Sequence, residues 1–210
     1  MIEHKKTAQL YEKLYAMQTA YNTHTNITRL SSRDDFYLKH IDDSLALLPF
    51  VDAGRDAMHC VSTGVRLIDL GTGAGYPGIP LAIERPDLHV VLNDATQKKI
   101  RYLDSVITEL PLSNASAVWS RAEVLNRHYE HHEQYDFVTA RAVASLKDLL
   151  ILASPFLHSG GQAIFMKAKN VEAEISAAKR TAAKNNLSLL DVHKYKLADM
   201  DRAIVVYGKE

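Results

Sequence analysis

The chain lacks most of the features that place a protein in a class at sight. Its single cysteine, Cys60, excludes an internal disulfide framework. No apolar run approaches the roughly 20 residues needed to span a bilayer. The opening Met1-Ile2-Glu3-His4-Lys5-Lys6 is followed by no apolar stretch, which argues against a secretory leader. A cytoplasmic protein with no membrane partner is therefore expected. Charge of one sign is also missing: Lys and Arg number 25, as do Asp and Glu. The molecule has no long-range basic field to gather nucleic acid indiscriminately, so DNA is not an expected partner and any RNA contact must come from local patches. With 210 residues and 47% hydrophobic content the chain can bury one core. A single globular unit is expected, with a helical extension over 1–50 and the main domain over 51–210, acting as a monomer.

Glycine is scarce too, at nine residues, yet four of them fall between positions 71 and 78. The stretch Leu67-Ile68-Asp69-Leu70-Gly71-Thr72-Gly73-Ala74-Gly75-Tyr76-Pro77-Gly78-Ile79 joins a short apolar strand to a tight turn and then to a helix start. Glycines at alternate positions let backbone approach a ligand closely, and the first turn of the helix presents unpaired N–H groups. The segment from Gly73 to Gly78 also satisfies the looser G-x-G-x-x-G pattern of dinucleotide enzymes. Asp69 argues for a different ligand. A carboxylate beside the turn repels a pyrophosphate but suits S-adenosylmethionine, which has no phosphate and carries cationic groups. A second acid, Asp94, closes the next apolar run, His89-Val90-Val91-Leu92-Asn93, where a carboxylate can accept the ribose hydroxyls of an adenosine.

From Val65 onward apolar runs alternate with helical patterns, the signature of a parallel sheet wound by right-handed crossovers. Strands are expected near 65–70, 89–93, 115–119, 136–140, 161–167, 187–194 and 203–208. Helices are expected over 3–21, about 34–50, 97–110 and about 171–186. The last two strands lie close together with no helical pattern between them. That spacing predicts a hairpin whose final strand enters antiparallel at an edge. The fold class is then α/β: a Rossmann-like, class I S-adenosylmethionine-dependent methyltransferase with a seven-stranded, mostly parallel sheet and an N-terminal helical extension.

Ligands of such sheets sit at the carboxyl ends of the strands, which singles out four positions: Gly71 to Gly75, Asp94, Arg121-Ala122-Glu123 and Arg141. Ala122 is small enough to lie against an adenine, and Glu123 can meet its exocyclic amine. Arg141, closing Phe137-Val138-Thr139-Ala140, carries a planar donor fork suited to a carboxylate or a base edge. Here the absences become informative again. The six prolines are all isolated, so the Asn/Asp-Pro-Pro-aromatic loop used for amine methylation is missing. Cys60 lies upstream of the first strand, away from where a carbon-methylating nucleophile would stand, and reads as a small buried hydrophobe. What remains is an acceptor that is already nucleophilic, such as a ring nitrogen, with catalysis resting on alignment and electrostatics. His128, His131 and His132 sit in a polar connection without a supporting cysteine, and no metal is expected there. A nicotinamide oxidoreductase or a non-catalytic RNA-binding factor on the same fold are the alternatives. The first lacks a convincing proton-transfer set, and the intact Asp69 and glycine turn count against the second.

The chain resembles the RsmG (GidB) family, bacterial small-subunit ribosomal RNA guanine-N7 methyltransferases. The most specific match is Asp69 to Leu81, because the family continues the cofactor motif with Pro77-Gly78-Ile79-Pro80. Further matches are Tyr21-Asn22 with Asn26-Ile27-Thr28, His40-Ile41-Asp42-Asp43-Ser44-Leu45, Lys98 to Leu103, Arg121-Ala122-Glu123 and Arg141 to Ser145. The resemblance implies that Gly71, Tyr76, Ala122, Glu123 and Arg141 contact S-adenosylmethionine and that Asp94 holds its ribose. It implies methyl transfer to N7 of one guanine in the decoding-region loop of 16S ribosomal RNA, or of the small subunit that contains it. Two departures from the family pattern are Lys167-Ala168-Lys169 in place of Lys-Gly, and Ala140 where Ser often stands. Candidate phosphate contacts are Arg29, Arg33 and Lys39, then Lys98, Lys99 and Arg101, then Lys167 and Lys169.

Overall fold

The computed structural model describes residues 2–28, 32–57, 64–168 and 171–210. Arg29, Cys60 and Lys169, singled out above, lie outside these residues. Seven strands form one sheet: β1 (Val65–Leu70), β2 (Leu88–Asp94), β3 (Ala115–Trp119), β4 (Tyr135–Arg141), β5 (Leu157–Ala168), β6 (Leu187–Leu197) and β7 (Met200–Lys209). Their order is β3-β2-β1-β4-β5-β7-β6. β1 and β4 are buried almost throughout, which is why their sequences read as continuous apolar runs. Alternate side chains feed two cores. Leu67, Leu92, Phe137 and Ile164 face the helices α1 (Ile2–Asn22), α5 (Gly78–Glu84) and α6 (Gln97–Glu109). Ile68, Val138 and Phe165 face α7 (Ala122–Leu125), α8 (Leu146–Ala153) and α9 (Val171–Lys184).

Two expectations are corrected. The last strand is antiparallel, but it is not at an edge: β7 inserts between β5 and β6 and pairs antiparallel with both. Its central residues Ala203 to Tyr207 are buried without alternation, as a strand covered on both faces requires, whereas β6 exposes most of its length and forms the edge. The second helix is not continuous either. It divides into α2 (Arg33–Phe36), a π-helical turn over Tyr37–Asp42, α3 (Asp43–Leu45) and α4 (Leu48–Ala57). Pro49 has no N–H to continue a helix, so it sits in the first turn of α4, where none is needed. The π turn and the start of α3 direct His40 and Asp43 at the end of β4.

The N-terminal helices pack on the sheet domain through side chains as well as apolar contact. The Tyr11 hydroxyl donates to Glu84 at 2.8 Å, Lys13 pairs with Glu109 at 2.9 Å, and the Tyr21 hydroxyl donates to the Lys98 carbonyl at 3.2 Å. The strand order reverses between β1 and β4, and the crevice at their carboxyl ends is where an open α/β sheet binds ligands.

Candidate active site

The glycine turn leaves β1 with Gly71 at φ +65°, Gly73 at +64° and Gly75 at +100°, the left-handed region that glycine enters without strain. Asp69 is what shapes it. One carboxylate oxygen accepts from the Thr72 hydroxyl at 2.6 Å and the Gly78 N–H at 2.9 Å, and the other from the Thr139 hydroxyl at 3.2 Å. The side chain has no exposed surface, and burial pushes its pKa up to about 6 against the pull of these donors. Asp69 was expected to face a cationic ligand. It instead lies beneath the turn, closed to any ligand, because three donors from three elements converge on it there.

The Tyr76 side chain also turns inward. It is buried, its hydroxyl donates to Gln18 of α1 at 2.7 Å, and its ring lies parallel to the His40 imidazole at 4.1 Å. Only its backbone remains at the turn.

The three glycines of the turn differ in what surrounds them. A methyl added at Gly75 would stand 2.6 Å from the Ile79 side chain, and one at Gly71 would stand 2.7 Å from Val143. At Gly73 the nearest atom would be 3.9 Å away, the Gly71 carbonyl oxygen. The open space therefore lies over Gly73, at the crevice. Asp94 meets it there: it accepts from the Gly73 N–H at 3.1 Å, from the Thr96 N–H at 2.8 Å and from the Lys99 ammonium at 3.0 Å. Ala122, half-buried, opens α7 beyond β3, and Glu123 beside it is exposed.

At the ends of β4 and β5 a cavity of about 490 Å³ is lined by Lys39, His40, Asp43, Arg141, Lys167 and Glu174, among others. Arg141 donates to the Lys39 carbonyl at 2.7 Å, to Asp43 at 3.1 Å and to the His40 Nδ1 at 3.1 Å. Asp43 also accepts from the Tyr195 hydroxyl at 2.8 Å, which brings β6 into the same cluster. Burial, helped by the Arg141 charge, pushes the His40 pKa down to about 3. Lys167 pairs with Glu174 at 2.7 Å and donates to the Ala144 carbonyl at 3.0 Å.

The candidate phosphate contacts divide by this geometry. Arg33 is paired with Glu12, Lys39 with Asp35 at 2.6 Å, Lys99 with Asp94 and Lys167 with Glu174. Lys98 and Arg101 are exposed on α6 with no acidic partner among the described residues. Sequence reasoning had placed neither His40 nor Asp43 at the site, nor Thr72 and Thr139 on Asp69. Asp43 follows Asp42 and precedes Ser44, so no local pattern marks it as a buried charge that needs a partner. His131 and His132 are held by the Tyr135 hydroxyl and the Asn126 carbonyl. No metal-holding group of three or more His, Cys, Asp or Glu occurs among the described residues.

The sequence profile of one family, GidB, described as rRNA small subunit methyltransferase G, matches residues 7–205. This chain belongs to that family. A member from Carboxydothermus hydrogenoformans, ribosomal RNA small subunit methyltransferase G, is 35% identical over 207 residues, covering 98% of this chain and 84% of its own length. The protein of the same name from Gloeobacter violaceus is 41% identical over 178 residues, 84% of this chain and 67% of its own. Among solved structures, M. jannaschii TYW2 in complex with AdoMet superposes with a TM-score of 0.57 at 22% identity, over 76% of each chain. This likeness bears on the fold, which is that of class I S-adenosylmethionine-dependent methyltransferases. No helix among the described residues of this family member is long and apolar enough to cross a membrane.

Proposed function

We propose that the protein transfers a methyl group from S-adenosylmethionine to N7 of a guanine in the decoding-region loop of 16S ribosomal RNA, working as a cytoplasmic monomer on the RNA or on the small subunit. The observation that carries this reading is the open space over Gly73 at the sheet's switch point, in a chain of the small-subunit methyltransferase G family. The residues there suit the cofactor. Backbone of Gly71, Gly73, Gly75 and Tyr76 provides a close approach, and Asp94 offers acceptors to ribose hydroxyls, which would take the place Lys99 holds on it. Ala122 gives the adenine a small apolar surface and Glu123 an acceptor. Asp69 acts one step away, by holding the turn. S-adenosylmethionine, when bound, supplies an electrophilic methyl group on a positively charged sulfur.

The second cavity fits an acceptor that needs no deprotonation. Asp43 is engaged by Arg141 and Tyr195, and Glu174 by Lys167, while His40 gives its Nδ1 lone pair to Arg141. None of these groups is free to act as a general base. A guanine N7 attacks with its own lone pair, so the protein has only to orient the base and exclude water. Arg141, which lines this cavity at the end of β4, orients the reactants and balances charge. Lys98 and Arg101 are the cations best placed to meet RNA phosphates, because no acid among the described residues competes for them.

The test is transfer of labelled methyl from S-adenosylmethionine to small ribosomal subunits that lack the native modification, followed by digestion to nucleosides. Label in 7-methylguanosine is the expected result. Absence of label, together with no S-adenosylmethionine binding by calorimetry, would overturn the reading.

A further inference from the structure

The stretch from His40 to Leu45 and the pair Tyr21-Asn22 with Asn26-Ile27-Thr28 carry none of the cofactor-binding roles just proposed. In three dimensions Asn22, Ile27, Thr28 and His40 form one chain of hydrogen bonds that ends on Arg141. The Asn22 amide donates to the Thr28 carbonyl at 2.8 Å, and its oxygen accepts from the N–H groups of Ile27 and Thr28 at 2.9 and 3.3 Å. The Thr28 hydroxyl meets His40 Nε2 at 3.2 Å, and His40 Nδ1 accepts from Arg141 Nη2 at 3.1 Å. The tautomer follows from the partners. A guanidinium only donates, so Nδ1 carries the lone pair and Nε2 the proton that goes to Thr28. The imidazole is also fixed against rotation by its parallel stack on Tyr76, which belongs to the glycine motif.

We infer that His40 of the π-helical turn and Asp43, the residue that follows it, are positioning residues that aim the Arg141 guanidinium into the active cavity, so that the N-terminal segment completes the site. This rests on the methyltransferase reading for its activity consequences only. Arginine has five N–H donors. Nη1 spends both of its hydrogens on the Lys39 carbonyl and Asp43, and Nη2 spends one on His40. The Nε–H and the second Nη2–H are left without an acceptor among the described residues. Nε and Nη2 share one edge of the guanidinium, the edge that engages a carboxylate or a base side-on. The clamp thus consumes the donors that are not needed and leaves two that are. The guanidinium carbon also lies 5.6 Å from the centre of the Tyr76 ring, so the glycine motif braces the clamped arginine from a further side. Asp43 is tied in turn to Tyr195, so the hairpin of β6 and β7 holds the clamp from its far side.

The test separates aim from fold. His40→Phe keeps the ring on Tyr76 and removes the acceptor, and His40→Asn restores an oxygen near the Nδ1 position. With ¹⁵N-arginine-labelled protein, restricted rotation of the Arg141 guanidinium gives separate Nη signals, assigned by their loss in Arg141→Lys. The expected result is that these signals merge in His40→Phe and separate again in His40→Asn. In the same proteins kcat falls about 10- to 100-fold in His40→Phe, with KM for the small subunit nearly unchanged, and recovers most of that loss in His40→Asn. Thr28→Val, a milder change at the next link, moves both readouts the same way by less and serves if His40→Phe does not fold. Separate Nη signals persisting in folded His40→Phe, or in Thr28→Val if that variant is needed, would overturn the inference. A wild-type protein that transfers no methyl while its Nη signals merge on substitution would leave the clamp standing and overturn the methyltransferase reading instead.

Discussion

The ends of β1 and β2 and the ends of β4 and β5 lie side by side along one edge of the sheet, and they are built by different means. The first is backbone: a turn of glycines whose ligand-facing groups are N–H donors, fastened from below by Asp69 and from the side by Asp94. Its backbone course is set mainly by the turn and the strand before it, with Asp94, 21 positions beyond Gly73, and Thr139, 70 positions beyond Asp69, bracing it. The second is side chain: a charged cavity whose central group, Arg141, is held by residues 98 to 102 positions away in the chain. The difference teaches where each kind of site is vulnerable. A backbone cradle fails when a Cβ appears in it, and a side-chain cluster fails when one distant partner is lost.

The largest effect should come from crowding the cradle where it is packed. Gly75→Ala combines a backbone at φ +100° with a Cβ 2.6 Å from Ile79 and 3.0 Å from Leu103. A loss of about 3–5 kcal/mol is expected, seen as a lower urea midpoint with an unchanged slope. Next is the fastener beneath it. Because burial raises the Asp69 pKa to about 6, its contribution to stability is full below the unfolded carboxylate range near pH 4 and is lost as pH rises through 6. Wild-type stability measured against Asp69→Asn should therefore fall by roughly 2 kcal/mol between pH 4 and 6. A difference that grew with pH would mean that the three donors outweigh burial.

In the side-chain half of the comparison, Arg141→Lys keeps the charge near Asp43 and loses the fork. Methyl transfer should drop about 100-fold while the melting temperature changes little, since a point charge cannot address two acceptors at once. Wild-type transfer rates in that variant would remove Arg141 from the reaction. Within the glycine turn the smaller stability effect is expected at Gly73, where a Cβ meets nothing closer than 3.9 Å and only the left-handed backbone resists. Gly73→Ala should cost about 1 kcal/mol in stability and yet weaken S-adenosylmethionine binding by calorimetry. Equal losses of stability at Gly73 and Gly75 would erase the distinction between open and packed parts of the turn.

Much of this was legible in the chain. All seven strands fall where the apolar runs predict, and the glycine turn stands at the switch point its motif implies. The misses share a cause. Period and punctuation report on the residues next to one another, so they located the β6–β7 hairpin but not the insertion of β7 between β5 and β6. The same limit hid the role of Asp69, whose partners include Thr139 at the end of a strand 70 positions on. Lys39, Lys99 and Lys167 looked like free cations because each acid that neutralises them is identified only by the fold or by the turn of a helix.

By itself, the sequence determined the α/β alternation, the strand that feeds the glycine turn, and the residue types gathered at strand ends. These follow from local rules: an alternating or continuous apolar run buries one or both faces, and only glycine accepts the φ values of the turn. Tertiary structure decided which way each polar group points. Asp69 turned inward, His40 and Asp43 closed on Arg141, and Tyr76 became a strut to α1, because buried donors and acceptors must find partners and the partners on offer come from elements far apart in the chain.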